Sequence, residues 1–261
     1  MFLLVRSAMV AALGVALVAA AAIYGSVILG AAGALALAAC AWMLWRGRAR
    51  ARARAERAAG VAAPARPDEK LIYEKLWSMR GYRKVAPGEQ AVETFVKVAA
   101  AAAGARIVDL GCGSGRASLK LASSCQMNVT MVDFAGNCLD DEVAAALAAG
   151  THALRFVEAD LTKPLPVTAQ YGFCTDVMEH IPPDKVDDVL DNCLAAAEHV
   201  FFQICTVEDT FGRAIGHPLH LTVQPYEWWL EQLGRRGCVI HWSESQGVNA
   251  LFYVSSRPQS G

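Results

Sequence analysis

The sequence predicts an α/β protein with a doubly wound, mostly parallel sheet, on three observations. Helical and strand-like segments alternate from residue 68 onward. The first strand runs into a turn of three alternating glycines that opens a helix, and single aspartates stand at or near the ends of the first three strands. Ahead of the sheet, amphipathic patterns predict helices over 68–79 and 88–103. Arg106 to Leu110 is the first strand, short and apolar, and a helix follows from Arg116 to Ser123. A second strand, Asn128 to Val132, precedes an Ala-rich helix from Leu139 to Ala149, and a third, Ala153 to Val157, ends just before Asp160. Tyr171 to Val177 reads as the fourth strand, Asp184 to Glu198 as a helix, and His199 to Ile204 as the fifth strand. Helical crossovers return the chain to the same edge of the sheet each time, so these five units run parallel and both faces are covered. Pro225 opens a helix through Trp228, Trp229 and Leu233 to Gly234, and Cys238 to Trp242 with Ala250 to Val254 form a last strand pair joined by a polar loop.

The formal net charge of −1 over 261 residues conceals an asymmetry. Residues 1–66 carry eight Arg and one Glu, whereas residues 67–261 carry 16 basic and 24 acidic residues. An acidic domain of this kind disfavours nucleic acid as a partner, since phosphate binding calls for a basic face. Hydrophobic content of 54% excludes a wholly disordered chain. The eight cysteines contain no C-x-x-C pair, which argues against a zinc or redox motif and fits a reducing compartment.

Ser7 to Trp45 is free of charge over 39 residues. A single helix of that length would run about 58 Å, too long for a hydrocarbon core of roughly 30 Å. Tyr24-Gly25-Ser26 divides the run, so the expected form is a transmembrane hairpin of residues 7–23 and 27–45, with one longer span as the other form. Residues 46–67 form an Arg-rich juxtamembrane linker, and residues 68–261 the folded domain. Six arginines between Arg46 and Arg57 follow the apolar run, against only Arg6 before it, which puts the domain on the cytoplasmic side of a membrane. A cleaved signal peptide is the competing reading of the first run, disfavoured by the second run and the arginines behind it.

Val108-Asp109-Leu110-Gly111-Cys112-Gly113-Ser114-Gly115-Arg116 is the most informative stretch. Glycines there let backbone approach a ligand, and the helix start behind them offers unpaired N–H groups. A tight turn without a ligand would look the same in isolation. Asp133, 24 positions after Asp109, ends the second strand where a carboxylate can accept bonds from ribose hydroxyls, and Asp160 follows the third. A dinucleotide fingerprint fits poorly, because its third glycine would fall on Arg116 or Ser118, and no phosphate-binding G-K-[ST] occurs.

Taken with Val132-Asp133, Ala159-Asp160-Leu161 and Asp176-Val177-Met178-Glu179-His180-Ile181, this stretch resembles the class I S-adenosylmethionine-dependent methyltransferases over roughly residues 68–255. The resemblance implies a seven-stranded sheet with an antiparallel last strand and S-adenosylmethionine as cofactor. It implies contacts to that cofactor from the loop of Gly111, Gly113 and Gly115, from Asp133 at the ribose, from Asp160 at the adenine amino group and from Asp109 at the methionine amino end. Thr175 and Asp176 would face the sulfonium and the acceptor. Gln170-Tyr171-Gly172 departs from the aromatic-Asp pair common at that strand start, away from the cofactor.

Methyl transfer from a sulfonium needs positioning and, for a hydroxyl acceptor, removal of a proton. His220, in the loop after the fifth strand, and His180, after the fourth, are the candidate catalytic residues; loop-fixing hydrogen bonds are their structural alternative. A metal site of His217 and His220 with Asp209 or Glu208 matches no recognised ligand spacing, so no metal is assigned. The resemblance implies that Tyr73, Trp77 and Tyr82 fold over the cofactor as a cover, with Trp228 and Trp229 as further candidates; core packing is the competing reading for all five and the preferred one for the tryptophans. The whole reading is a membrane-anchored methyltransferase with a small-molecule or lipid-linked acceptor; its alternative is a catalytically silent scaffold of the same fold.

Overall fold

The computed structural model describes residues 68–84 and 88–256. The expected hairpin 7–23 and 27–45 and the linker 46–67 lie outside the described residues. Among the described residues no helix is long and apolar enough to cross a membrane.

Seven strands form one sheet in the order β3-β2-β1-β4-β5-β7-β6. They are β1 Arg106–Leu110, β2 Asn128–Asp133, β3 Leu154–Glu158, β4 Ala169–Thr175, β5 Ala197–Cys205, β6 Val239–Gln246 and β7 Asn249–Ser255. The first five are parallel, and β7 runs antiparallel to both β5 and β6. Central strands are apolar on both faces because helices cover both: Ile107, Val108 and Leu110 of β1, and Val200, Phe201, Phe202 and Ile204 of β5, are all buried. The helices among the described residues are α1 Glu69–Trp77, α2 Arg80–Arg83, α3 Gly88–Ala99, α4 Arg116–Ser123, α5 Asp141–Ala149, α6 Val186–Ala196, α7 Gly212–Ile215 and α8 Tyr226–Arg235.

Two cores result. One packs α6 and α8 on the sheet through Val189, Leu190, Trp229 and Phe252; the other packs α3 and α4 on the opposite face through Phe95, Leu121, Phe173 and Phe201. Trp229 is fully buried in the first, as expected of a core tryptophan, and Trp228 packs against its margin.

Several expected boundaries shift, each for a local reason. The helix expected over 68–79 begins at Glu69, because Asp68 caps it by accepting from the Lys70 amide at 2.9 Å, and it breaks before the separate turn α2. The helix expected to reach residue 103 ends at Ala99, since Ala100 takes φ +46°. Strand β4 stops at Thr175 instead of Val177 because Asp176 adopts φ +55°, which turns the chain out of the sheet. The helix expected through Glu198 gives its last residues to β5, which starts at the extended Ala197.

Candidate active site

A cleft of about 950 Å³ opens over the carboxyl ends of β1, β2, β3 and β4, at the upper end of the size expected for a small-molecule site. Open parallel sheets bind ligands at this edge. Asp109, Gly111, Gly113, Asp133, Asp160, Asp176, His180 and His220, assigned from widely separated positions in the sequence, all line this one cleft.

The turn after β1 is built on left-handed backbone. Gly111 has φ +78°, and a Cβ there would lie 2.5 Å from Val177. The amides of Gly111 and Cys112 both donate to the Val132 carbonyl, so the loop is folded back across the end of β2. Asp133 fixes its tip: one carboxylate oxygen accepts from the Gly113 amide at 3.0 Å and the other from the Ala135 amide at 2.9 Å. Gly115 does not line the cleft. It sits at the start of α4 with φ +76°, where a Cβ would meet Val143 at 2.7 Å and Leu139 at 2.9 Å, so its part is to let α4 and α5 pack closely.

Asp109 is buried and accepts from the Ser118 hydroxyl at 2.6 Å. Burial pushes its carboxyl up to about 7; the Ser118 hydrogen bond opposes the shift and the Asp133 charge adds to it. The folded protein therefore keeps a proton that the unfolded chain has released, and stability falls as pH rises from about 4 to about 7. Asp109→Asn is expected to flatten that part of the profile and to stabilise the ligand-free protein at pH 8 by roughly 2 kcal/mol. Urea unfolding of both proteins at pH 5 and pH 8 checks this, and parallel profiles would show that the Asp109 charge carries no such cost. Asp160 stands exposed at the rim, its two oxygens accepting from the Thr162 amide and hydroxyl at 2.8 Å each.

On the other side of the cleft the chain leaves β4 through Asp176 into a 3₁₀ turn, Met178–His180. Asp176 accepts from the Gln203 side chain at 2.8 Å, and burial pushes its carboxyl up to about 6. His180 and His220 meet edge to face with ring centroids 4.7 Å apart. His180 Nδ1 lies 3.0 Å from the Leu219 carbonyl and His220 Nδ1 lies 2.6 Å from the Val207 carbonyl. A carbonyl only accepts, so each Nδ1 carries a proton and Nε2 is the nitrogen left for a further partner. Burial, reinforced by the neighbouring His220, lowers His180 to about 4, which keeps it neutral and makes it a weak base.

Asp209 has a structural task. Its carboxylate accepts from the backbone amides of Gly212, Leu219 at 2.8 Å and His220 at 3.2 Å, and so pins the loop that carries His220. The sequence pattern alone does not single out Glu179. It is fully buried, neither carboxylate oxygen makes a well-formed hydrogen bond, and burial followed by the Asp176 charge drives its carboxyl well up against the weaker pull of its own and the Cys205 backbone amide. Its sign in the sequence was a carboxylate directly before a candidate histidine and three positions after an acid.

Tyr73, Trp77 and Tyr82 line the cleft together with Phe211, which argues for a cover as well as core packing. Trp77 stacks edge to face on Tyr82 at 4.8 Å, and Tyr82 on Phe211 at 5.3 Å. Arg83 ties this cover down, donating to the carbonyls of Asn137, Cys138 and Leu139 at 2.6, 3.1 and 2.8 Å. The cleft wall holds ten carboxyl groups against Lys70 and Lys185, and even with Asp109, Asp176 and Glu179 pushed toward protonation the balance favours a positively charged ligand.

Residues 107–199 match the family described as a methyltransferase domain. The match runs from β1 to the start of β5 and includes the glycine turn, Asp133, Asp160, Asp176 and His180. None of the curated proteins matches the chain. Among solved structures, magnesium protoporphyrin IX methyltransferase from Synechocystis PCC 6803 with bound SAM is similar at 17% identity and a TM-score of 0.57, over 75% of this chain and 100% of that one. The complex of DhpI with SAH is similar at 16% identity and a TM-score of 0.55, over 73% of this chain and 96% of that one. The [4+2]-cyclase SpnF is also similar, at 17% identity and a TM-score of 0.50 over 60% of each chain. At such identities the likeness is one of fold, and the reaction has to be argued from the methyltransferase-domain match and from the cleft itself.

Proposed function

We propose that this protein is an S-adenosylmethionine-dependent methyltransferase. The observation that carries the reading is the cleft beside the glycine turn, where Asp133 is locked at the end of β2 and the wall is strongly acidic, inside the stretch that matches a methyltransferase domain. The cofactor supplies a methyl group on a sulfonium, a cation suited to that wall. Asp133 has accepting capacity beyond its two backbone bonds, since a carboxylate offers about four lone-pair sites, and would hold the ribose. Gly111 and Gly113 leave room for backbone approach, Asp109 would take the methionine amino group, and Asp160 at the rim the adenine amino group. Asp176 and Thr175 would face the reacting side.

The acceptor in this reading is a small or lipid-linked molecule entering on the side of Tyr82, Phe211, His180 and His220, where aromatic surface meets polar nitrogen. The uncharged run Ser7 to Trp45 and the arginines behind it support a membrane anchor with the domain on the cytoplasmic side, which would concentrate the enzyme beside such an acceptor. Calorimetric titration of the purified full-length protein with S-adenosylhomocysteine is expected to give saturable, one-to-one binding, with none for NAD. A folded protein that ignores S-adenosylhomocysteine would overturn the enzymatic reading. Separately, the full chain is expected to stay with the membrane fraction through alkaline extraction, and its release would remove the anchor.

A further inference from the structure

We propose that Glu179, His180 and His220 form a binding site for a divalent first-row metal cation at the acceptor end of the cleft. One ligand atom from each of the three lies within 4.8 Å of the others. Three ligands sharing one cation at bond lengths of about 2.1 Å stand roughly 3.0–3.6 Å apart, so side-chain closure of about 1–2 Å, within reach of rotamer adjustment, completes the site.

Three features make this more than a chance cluster. Glu179 is completely buried with no well-formed hydrogen bond to either carboxylate oxygen, only its own and the Cys205 backbone amide lying near, and a buried carboxylate so poorly served requires a counter-charge or a proton. Each histidine gives its Nδ1–H to a backbone carbonyl, which fixes the ring and leaves Nε2 as donor of a lone pair; metal-binding histidines are held in this way. Finally, the two strands of chain that carry the ligands are bolted together. The amides of Leu221 and Thr222 donate to the Glu179 carbonyl at 2.7 and 2.9 Å, and the Thr222 hydroxyl donates to the Ile181 carbonyl at 2.7 Å. The ligand set is thus preorganised across some 40 residues of sequence.

Two imidazole nitrogens and one carboxylate suit a transition-metal cation better than Mg²⁺, which prefers an all-oxygen shell. The nearby carboxylate of Asp176, oriented by Gln203, adds negative charge. Three protein ligands leave positions open, so the cation would take an oxygen of the acceptor and lower the pKa of a hydroxyl there. That last role rests on the methyl-transfer reading; the cation site does not.

The test is titration of metal-stripped full-length protein with Co²⁺, followed by visible absorption, with S-adenosylhomocysteine calorimetry on the same preparations. One equivalent of Co²⁺ is expected, with bands of nitrogen and oxygen ligation, and its affinity should fall at least about tenfold in His220→Ala and in Glu179→Gln. His241→Ala, on the distant β6, should leave it unchanged, and His220→Ala should still bind S-adenosylhomocysteine. Binding that survives His220→Ala, or a thiolate charge-transfer band from the neighbouring Cys112–Asp133–Cys138 group, would overturn the assignment. Absence of Co²⁺ binding overturns it as well. Co²⁺ binding lost in His220→Ala by a protein that does not bind S-adenosylhomocysteine would uphold the cation site and remove the methyl-transfer reading.

Discussion

Asp133→Ala is expected to raise the dissociation constant for S-adenosylhomocysteine by about 30-fold or more and to destabilise the ligand-free protein by roughly 2–4 kcal/mol. The binding loss follows from one or two buried hydrogen bonds to ribose, on the order of 2 kcal/mol. The stability loss comes from what Asp133 does without any ligand. It is only 6% exposed, and its removal leaves the amides of Gly113 and Ala135 without their acceptor, at about 1–3 kcal/mol for each buried donor left unpaired. Asp133→Asn should fall between, because an amide offers one accepting oxygen and turns an N–H toward the other donor. Calorimetry and urea unfolding read the two effects separately. Unchanged affinity in a folded Asp133→Ala protein would take Asp133 out of the binding site.

Gly115→Ala should produce the largest purely structural loss, about 2–5 kcal/mol, seen as a lower midpoint in urea. Alanine at φ +76° carries a left-handed penalty of about 1–2 kcal/mol, and its methyl would press on Val143 and Leu139 at 2.7 and 2.9 Å, adding roughly 1–3 kcal/mol of overpacking. Because Gly115 is outside the cleft lining, S-adenosylhomocysteine affinity measured well below the melting point should change much less than in Asp133→Ala. If affinity falls as far as in Asp133→Ala, Gly115 takes part in binding after all.

The contrast between these two residues shows what a sequence discloses. Glycine spacing and strand-end acids were legible because they are local: Gly111, Gly113 and Asp133 lie within one β-α-β unit whose geometry is fixed by the crossover rule. Gly115 belongs to the same motif in sequence, yet its role is set by side chains of α5 and the loop before it. Glu179 stayed dark for a similar reason, since what makes it unusual is the arrival of His220 from another crossover. The end of β4 falls two residues short of Val177 because Val177 continues the period-two alternation of Phe173 and Thr175, and only the turn at Asp176 reveals that the strand has stopped. The membrane expectation rests on residues 1–67, for which composition remains the whole argument.

Strand β5 carries a further consequence, for synthesis. Its outer hydrogen bonds are made by β7, which begins 44 residues after β5 ends, at Asn249. Until that segment emerges, a nascent chain presents Val200-Phe201-Phe202-Gln203-Ile204 as an open, apolar edge able to pair with any neighbour. A polypeptide stopped at Gly247 should therefore aggregate even though every residue of the cleft has been made, and the last hairpin acts as the chain's own protection against self-association.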